Sequence, residues 1–318
     1  AYIARLVKQA DFGTLSIVWD AGNGAAGPAT EAMLAALSDK GGGQGTHKAL
    51  YCDIDGHFPN HHPNPVDPET LESLREQVGA MGADCGIGFD GDGDRIGLVD
   101  SKGRQIAGDI LTAFLATDIL TRNPGADIIF DVKSSALAMQ IVRDAGGTPH
   151  LWKTGHSHMK QKLHETGAPL AGEMSGHIFI ADGDYGFDDA LYVASRLVTQ
   201  IAKRTAETGM SITDFMDSLP ETFTTPECRI DCPDTEKFGV MARLSEAVSN
   251  DHAPDSVNVT DGVRVTTSKG WWLIRASNTE AALVARAEGT DAVICDRFVS
   301  DIIHYLDNAG LKWAGPTS

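Results

Sequence analysis

Two three-layer α/β domains with mixed sheets, followed by a smaller α+β C-terminal domain, is the fold class this sequence predicts. Three observations predict it. The chain is 318 residues long, too long for one ordinary core. Up to Leu219-Pro220, short apolar strands alternate with amphipathic helices, the pattern of layered α/β domains. Beyond that point the pattern changes to adjacent strands and a last helix. The boundaries fall near residues 104 and 220, giving domains 1–104, 105–220 and 221–318.

Residues 1–9 read as an amphipathic helix, and Leu15–Asp20 alternates as a strand into the turn Gly22-Asn23-Gly24. A helix follows from Pro28 to about Leu37, with the proline near its first turn. Strands over 83–88 and 96–100 flank an acidic loop, and Ser101-Lys102-Gly103 is a hairpin turn. The second domain reads as helix 109–120, strand 127–132, helix 135–145, strands 148–152 and 169–173, and a long helix 188–205. In the third, strands cover 263–267 and 270–275, and a helix runs from about 292 to 306.

Composition excludes some function classes. The 44 acidic residues against 26 basic ones give a formal charge of −18, which disfavours nucleic acid and anionic membrane as partners. No run of about 18 apolar residues exists to span a bilayer, and no signal sequence opens the chain. The five cysteines are scattered without zinc-finger spacing and read as reduced thiols of a cytoplasmic protein.

The chemistry concentrates in five places. In Gly88-Phe89-Asp90-Gly91-Asp92-Gly93-Asp94-Arg95, three carboxylates alternate with glycines and an arginine closes the run. Three converging acids need a cation, and oxygen ligands in that number suit Mg²⁺ or Ca²⁺ better than zinc. An EF-hand starting at Asp90 fails, because Arg95 and Ser101 stand where glycine and glutamate are required. A solvated acidic turn is the bland alternative. Lys153-Thr154-Gly155-His156-Ser157-His158 offers donors to an anion or a polyol, though a polar surface loop explains it as well. Gly172-Glu173-Met174-Ser175-Gly176-His177 sets a carboxylate and hydroxyl for sugar hydroxyls beside a histidine that could shuttle a proton. Its alternative is a strand-end turn. Arg275-Ala276-Ser277-Asn278-Thr279-Glu280 could cradle a phosphate, but Ser277 and Glu280 also match a helix capping box. The alternation of Leu283, Ala285 and Ala287 favours a strand there. Lys133 sits at a strand's C-terminal end, where α/β clefts form, with a plain surface charge as its alternative.

Taken in this order, the four loops resemble those of the α-D-phosphohexomutase family. Gly88–Arg95 resembles its metal loop, Lys153–His158 its third-domain loop, Gly172–His177 its sugar loop and Arg275–Thr279 its phosphate loop. The form Gly-Glu-Met-Ser-Gly, with Met174, and the segment Phe58–Pro65 are similar to the bacterial phosphomannomutase/phosphoglucomutase branch. The resemblance implies an isomerase that interconverts hexose 1-phosphate and 6-phosphate of mannose or glucose. Phosphoryl transfer would run through a phosphoserine and a hexose 1,6-bisphosphate. It implies Asp90, Asp92 and Asp94 as Mg²⁺ ligands, and Arg95, Lys133 and His177 as catalytic groups. Substrate contacts would come from His156, Glu173, Ser175, Arg275, Ser277, Asn278 and Thr279. The family's first domain carries the serine in a Thr-Ala-Ser-His-Asn-Pro-like loop, and no such loop occurs in these 318 residues. The expectation is a chain equivalent to domains two to four, whose partner is the N-terminal domain of the same protein. Alone it would be inactive and hold its metal weakly or not at all. The alternatives are a phosphoglucosamine mutase, a Mg²⁺-dependent phosphatase and a non-catalytic sugar-phosphate-binding protein.

Overall fold

The computed structural model describes residues 1–316. They group into two compact units: residues 1–130, 137–150 and 155–219 form the first, and residues 131–136, 151–154 and 220 onward form the second.

In the first unit, a short helix α1 (Tyr2–Leu6) precedes β1 (Ile17–Asp20), α2 (Ala26–Lys40) and β2 (His47–Leu50). Then come α3 (Glu72–Met81), β3 (Cys85–Phe89), β4 (Ile96–Asp100) and β5 (Gln105–Ile106), in a sheet of order β2-β1-β3-β4-β5. β1 runs parallel to β2 and β3, while β3–β4 and β4–β5 are antiparallel. This mixture follows from the connections. Helices α2 and α3 make the crossovers that parallel pairs need, and short turns make the hairpins. β1, β3 and β4 are buried at every position, as expected of strands covered on both faces.

The chain continues through α4 (Gly108–Arg122), β6 (Asp127–Asp131), α5 (Ala136–Asp144) and β7 (Thr148–Trp152). It goes on with α6 (His156–Thr166), β8 (Leu170–Gly172), β9 (Ile178–Ile180), α7 (Ala190–Thr208) and α8 (Ile212–Ser218). The second sheet has the order β7-β6-β8-β9, with β6 and β8 parallel and β8 and β9 antiparallel. Asp189 caps α7 by accepting from the Tyr192 N–H, and Ser211 with Asp214 forms a capping box on α8.

The second unit is built on β10 (Phe223–Thr224), β11 (Cys228–Asp231), α9 (Lys237–Asp251), β12 (Val257–Asn258), β13 (Val263–Thr267), β14 (Gly270–Ala276), β15 (Ala282–Gly289) and α10 (Ala292–Asn308). Its antiparallel sheet has the order β10-β15-β14-β13-β12, with β11 also on β15. Alternation along β14 decides its two faces. Trp272 and Ile274 pack with Leu244 and Val248 of α9 and Ile302 and Leu306 of α10. Trp271 and Leu273 point the other way and bury Val132, with Ala136 and Leu151 against them. That second apolar face is why residues 131–136 and 151–154 group with the C-terminal strands.

Several elements differ from the sequence reading. The first helix ends at Leu6, not residue 9. Helices α3, α6, α8 and α9 had no counterpart in it. In α3 and α6 the buried residues are only an i, i+4 pair, Leu74 with Val78 and Met159 with Leu163, and the rest of α6 is polar. At Ser277 the hydroxyl does accept from the Glu280 N–H (3.1 Å), yet strand β15 follows rather than a helix. Among the described residues no helix is long and apolar enough to cross a membrane, and all five cysteines are free.

Candidate functional site

The acidic loop joins β3 to β4 and folds around Asp90, which is 2% exposed. Asp90 Oδ1 accepts from the backbone N–H groups of Gly93, Asp94 and Arg95 (3.0, 3.0 and 3.1 Å), and Oδ2 accepts from Arg95 Nε at 2.7 Å. The alternating glycines let the backbone curl this tightly, and Gly93 takes φ +80°. Asp90, Asp92 and Asp94 each bring a carboxylate oxygen within 4.8 Å of the others. Three hard oxygens so placed fit a small divalent cation. Burial disfavours the Asp90 carboxylate, but the loop N–H groups and Arg95 outweigh it and hold its pKa below the usual range. Burial and the adjoining Asp90 push Asp94 up to about 6.

The sugar-loop candidate is tied to the acidic loop through the backbone. Arg95 and His177 form an antiparallel bridge, and the Ile96 N–H donates to the Gly176 carbonyl at 3.1 Å. Gly176 has φ +92°, and a Cβ there would lie 2.4 Å from the Ile96 oxygen, so only glycine permits the approach. Glu173 is 2% exposed. Its Oε1 accepts from the Gly155 N–H (2.8 Å), at the N-terminus of α6, and its Oε2 accepts from Ser175 Oγ (2.9 Å). His177 Nδ1 lies 3.0 Å from Ser175 Oγ and 3.4 Å from Glu173, while its Nε2 lies 3.4 Å from Asp94. Burial works against an imidazolium, but the two carboxylates prevail and raise its pKa. The His156 ring lies tilted beside that of His177, with centroids 5.9 Å apart, and His156 shares Asp188 with Lys160.

Behind the acidic loop stands the segment Phe58–Pro65. Asn64 Oδ1 accepts from Arg95 Nη1 (3.0 Å), Asn60 donates to Asn23, and His61 donates to Asp20 at the end of β1. The sequence reading used this segment only as a mark of resemblance. It missed Asp20, Asn64 and Asp188. Asp20 had a signal, an acid at a strand's C-terminal end just before Gly22-Asn23-Gly24. Asn64 and Asp188 had none, since their partners lie 31 and 28 or more positions away.

The second unit gathers the other candidates. Lys133 is 8% exposed and its Nζ lies 2.9 Å from Glu227 Oε2. The Lys133 carbonyl accepts from Arg286, and the flanking carbonyls of Val132 and Ser134 both accept from Arg264 Nη1 at 2.7 Å. Arg264 itself lies 3.8 Å above the Trp271 ring. Asp261 Oδ2 accepts from both Arg275 Nε (2.9 Å) and the Thr154 N–H (3.0 Å). Arg275 is 4% exposed, and its Nη2 has no hydrogen-bond partner among the described residues. A buried guanidinium N–H left unpaired is costly, and an anion would satisfy it. Ser277, Asn278 and Thr279 form the turn between β14 and β15, with Asn278 donating weakly to the Thr154 carbonyl (3.4 Å). Glu227 and Asp261, which position the two cations, were also not anticipated.

The first unit thus collects Asp90, Asp92, Asp94, Arg95, His156, Glu173, Ser175 and His177. The second collects Lys133, Arg275, Ser277, Asn278 and Thr279. Residues 1–103 match the phosphoglucomutase/phosphomannomutase α/β/α domain II, residues 107–223 match domain III, and residues 227–304 match the C-terminal domain of the same family. The chain belongs to the phosphoglucomutase/phosphomannomutase family. A Pseudomonas putida phosphomannomutase/phosphoglucomutase is 45% identical over 274 residues, covering 86% of this chain and 57% of that protein. A Neisseria gonorrhoeae phosphoglucomutase is 38% identical, covering 89% of this chain and 59% of its own length. A crystal structure of a family protein from Burkholderia thailandensis superposes with a TM-score of 0.87 at 39% identity, over 98% of this chain and 65% of that one. An Aspergillus fumigatus N-acetylphosphoglucosamine mutase in complex with GlcNAc-6P and magnesium shares the fold, with a TM-score of 0.68 at 15% identity. The chain spans about three fifths of the length of the relatives it matches.

Proposed function

We propose that this chain supplies the metal, sugar and phosphate loops of a phosphomannomutase/phosphoglucomutase. In this reading the three modules 1–104, 105–220 and 221–318 serve those loops in turn. The observation that carries it is the bridge between Arg95 and His177, which ties the cluster of Asp90, Asp92 and Asp94 to Glu173 and Ser175. A cation site fixed to a hydroxyl-recognition site suits phosphoryl transfer to a sugar. Asp90, Asp92 and Asp94 would hold Mg²⁺, which supplies charge neutralisation to the phosphoryl group when bound. The Aspergillus relative's complex with GlcNAc-6P and magnesium supports that ligand class.

The protein's own groups divide the remaining work. Glu173 accepts from sugar hydroxyls and Ser175 donates or accepts, a pairing that tolerates either orientation of a hexose. Arg275, Ser277, Asn278 and Thr279 anchor the phosphate that is not reacting, and the unpaired Arg275 Nη2 is the group it satisfies. Arg95 offsets charge on the transferring group, and Lys133 is the second unit's catalytic cation for a phosphate. His177, whose pKa Glu173 and Asp94 raise, moves the proton, with His156 beside it. The phosphoryl donor in this reading is a phosphoserine outside these 318 residues, with a hexose 1,6-bisphosphate as intermediate.

Calorimetry and a coupled assay test it. The 318-residue chain with Mg²⁺ should bind mannose 1-phosphate or glucose 1-phosphate weakly and turn over neither. Joining it to the N-terminal portion of a relative should create interconversion of the 1- and 6-phosphates. Conversion by the chain alone would refute the external donor. Release of inorganic phosphate without isomerisation would refute the mutase reading itself.

A further inference from the structure

The acidic loop's carboxylates are not the only set that converges. Asp94, His177 and Asp188 also bring one ligand atom each within 4.8 Å of the others. Their chemistry differs from that of Asp90, Asp92 and Asp94, because an imidazole nitrogen replaces one carboxylate oxygen. His177 Nε2 lies 3.4 Å from Asp94 Oδ1. Asp188 is 12% exposed at its side chain, and its Oδ2 lies 3.2 Å from His156 Nδ1, a second imidazole whose ring centre is 5.9 Å from that of His177. Two carboxylates and one imidazole are three protein ligands, the number a tetrahedral zinc-type ion takes when water fills its fourth position. Mg²⁺ is poorly served by nitrogen donors, so the two sets select different metals.

We propose that Asp94, His177 and Asp188 form a second divalent-metal site that takes borderline ions of the Zn²⁺ or Co²⁺ class. It shares Asp94 with the oxygen-only loop. Occupancy therefore withdraws Asp94 from that loop and engages the Nε2 of His177. Lys160 donates to Asp188 Oδ1 at 2.8 Å and His156 Nδ1 lies 3.2 Å from Oδ2, so the ion competes with these two partners for the carboxylate. The inference stands on these residues and needs no assumption about the reaction.

Co²⁺ titration of the full chain tests it, read through the visible d–d bands that tetrahedral cobalt gives. The wild type should show one such site. The Asp188→Asn and His177→Gln variants should each bind Co²⁺ at least tenfold more weakly, while Asp92→Asn, outside the set, should keep the spectrum. Circular dichroism of each variant identifies any that has failed to fold. Pulsed electron paramagnetic resonance of the Cu²⁺-loaded wild type provides a check without a variant and should show imidazole nitrogen coupling. Loss of the cobalt spectrum in Asp92→Asn but not in Asp188→Asn would place the ion in the loop and overturn the proposal. Absence of nitrogen coupling would do the same.

Discussion

Asp90 in the first unit and Arg264 in the second do the same job with opposite charge. Asp90 gathers three loop N–H groups on one oxygen. Arg264 donates to two loop carbonyls from one nitrogen. Each is buried, and each holds a loop that presents charges of its own sign: Asp92 and Asp94 around Asp90, and Lys133 beside Arg264. The difference teaches how a binding loop is kept open to its ligand. Opposite charges fix single side chains here, Glu227 on Lys133 and Asp261 on Arg275, whereas Asp90 and Arg264 fix backbone. A like-charged fastener shapes the backbone and adds to the negative field in one unit and to the positive field in the other.

The comparison can be broken most severely at Asp90. Replacing it by alanine orphans three N–H groups and Arg95 Nε, and should cost about 3 kcal/mol in chemical denaturation. Mg²⁺ should raise the wild-type melting temperature by mass action and leave that of Asp90→Ala unmoved. The exposed Asp92→Ala should change stability by no more than about 0.5 kcal/mol. Equal costs at the two positions would show that Asp90 is an ordinary ligand and not the fastener.

Arg264→Met sharpens the other half. It leaves the Val132 and Ser134 carbonyls without their donor, at an expected cost of about 2 kcal/mol, smaller because the methionine can pack on Trp271. Titration with inorganic phosphate should weaken in parallel, since the Lys133 loop loses its shape. Unchanged phosphate binding in a destabilised variant would separate the fastener from the site.

The smallest effect concerns pH. Asp20 accepts a hydrogen bond from His61, and this raises the histidine's pKa over the opposition of burial. A raised folded-state value means the contribution is full below about pH 6.5, the unfolded value. It is lost as pH rises through the higher folded value. Denaturation midpoints of the first unit should therefore fall over that window, and His61→Gln should remove the slope. A slope that survives the substitution would assign it elsewhere.

Much of this was legible in the chain itself. Alternating glycine and aspartate forces an acidic turn wherever it occurs, because the spacing and the absent Cβ atoms are local properties. The apolar runs of β1, β3 and β4 are likewise self-declaring, being buried on both faces. Helix α6 was not legible, since its two buried residues are few among histidines and lysines, and only packing on its neighbours selects the helix. By itself the sequence determined the candidate ligating and hydroxyl-binding residue types and their order, because those depend on neighbours in the chain. Tertiary structure alone decided which groups hold them: Asn64 on Arg95, Asp188 on His156, Asp261 on Arg275 and Arg264 on the Lys133 loop. Those pairs join residues that sequence separation hides, and a buried charge finds its partner only once the fold has excluded water from around it.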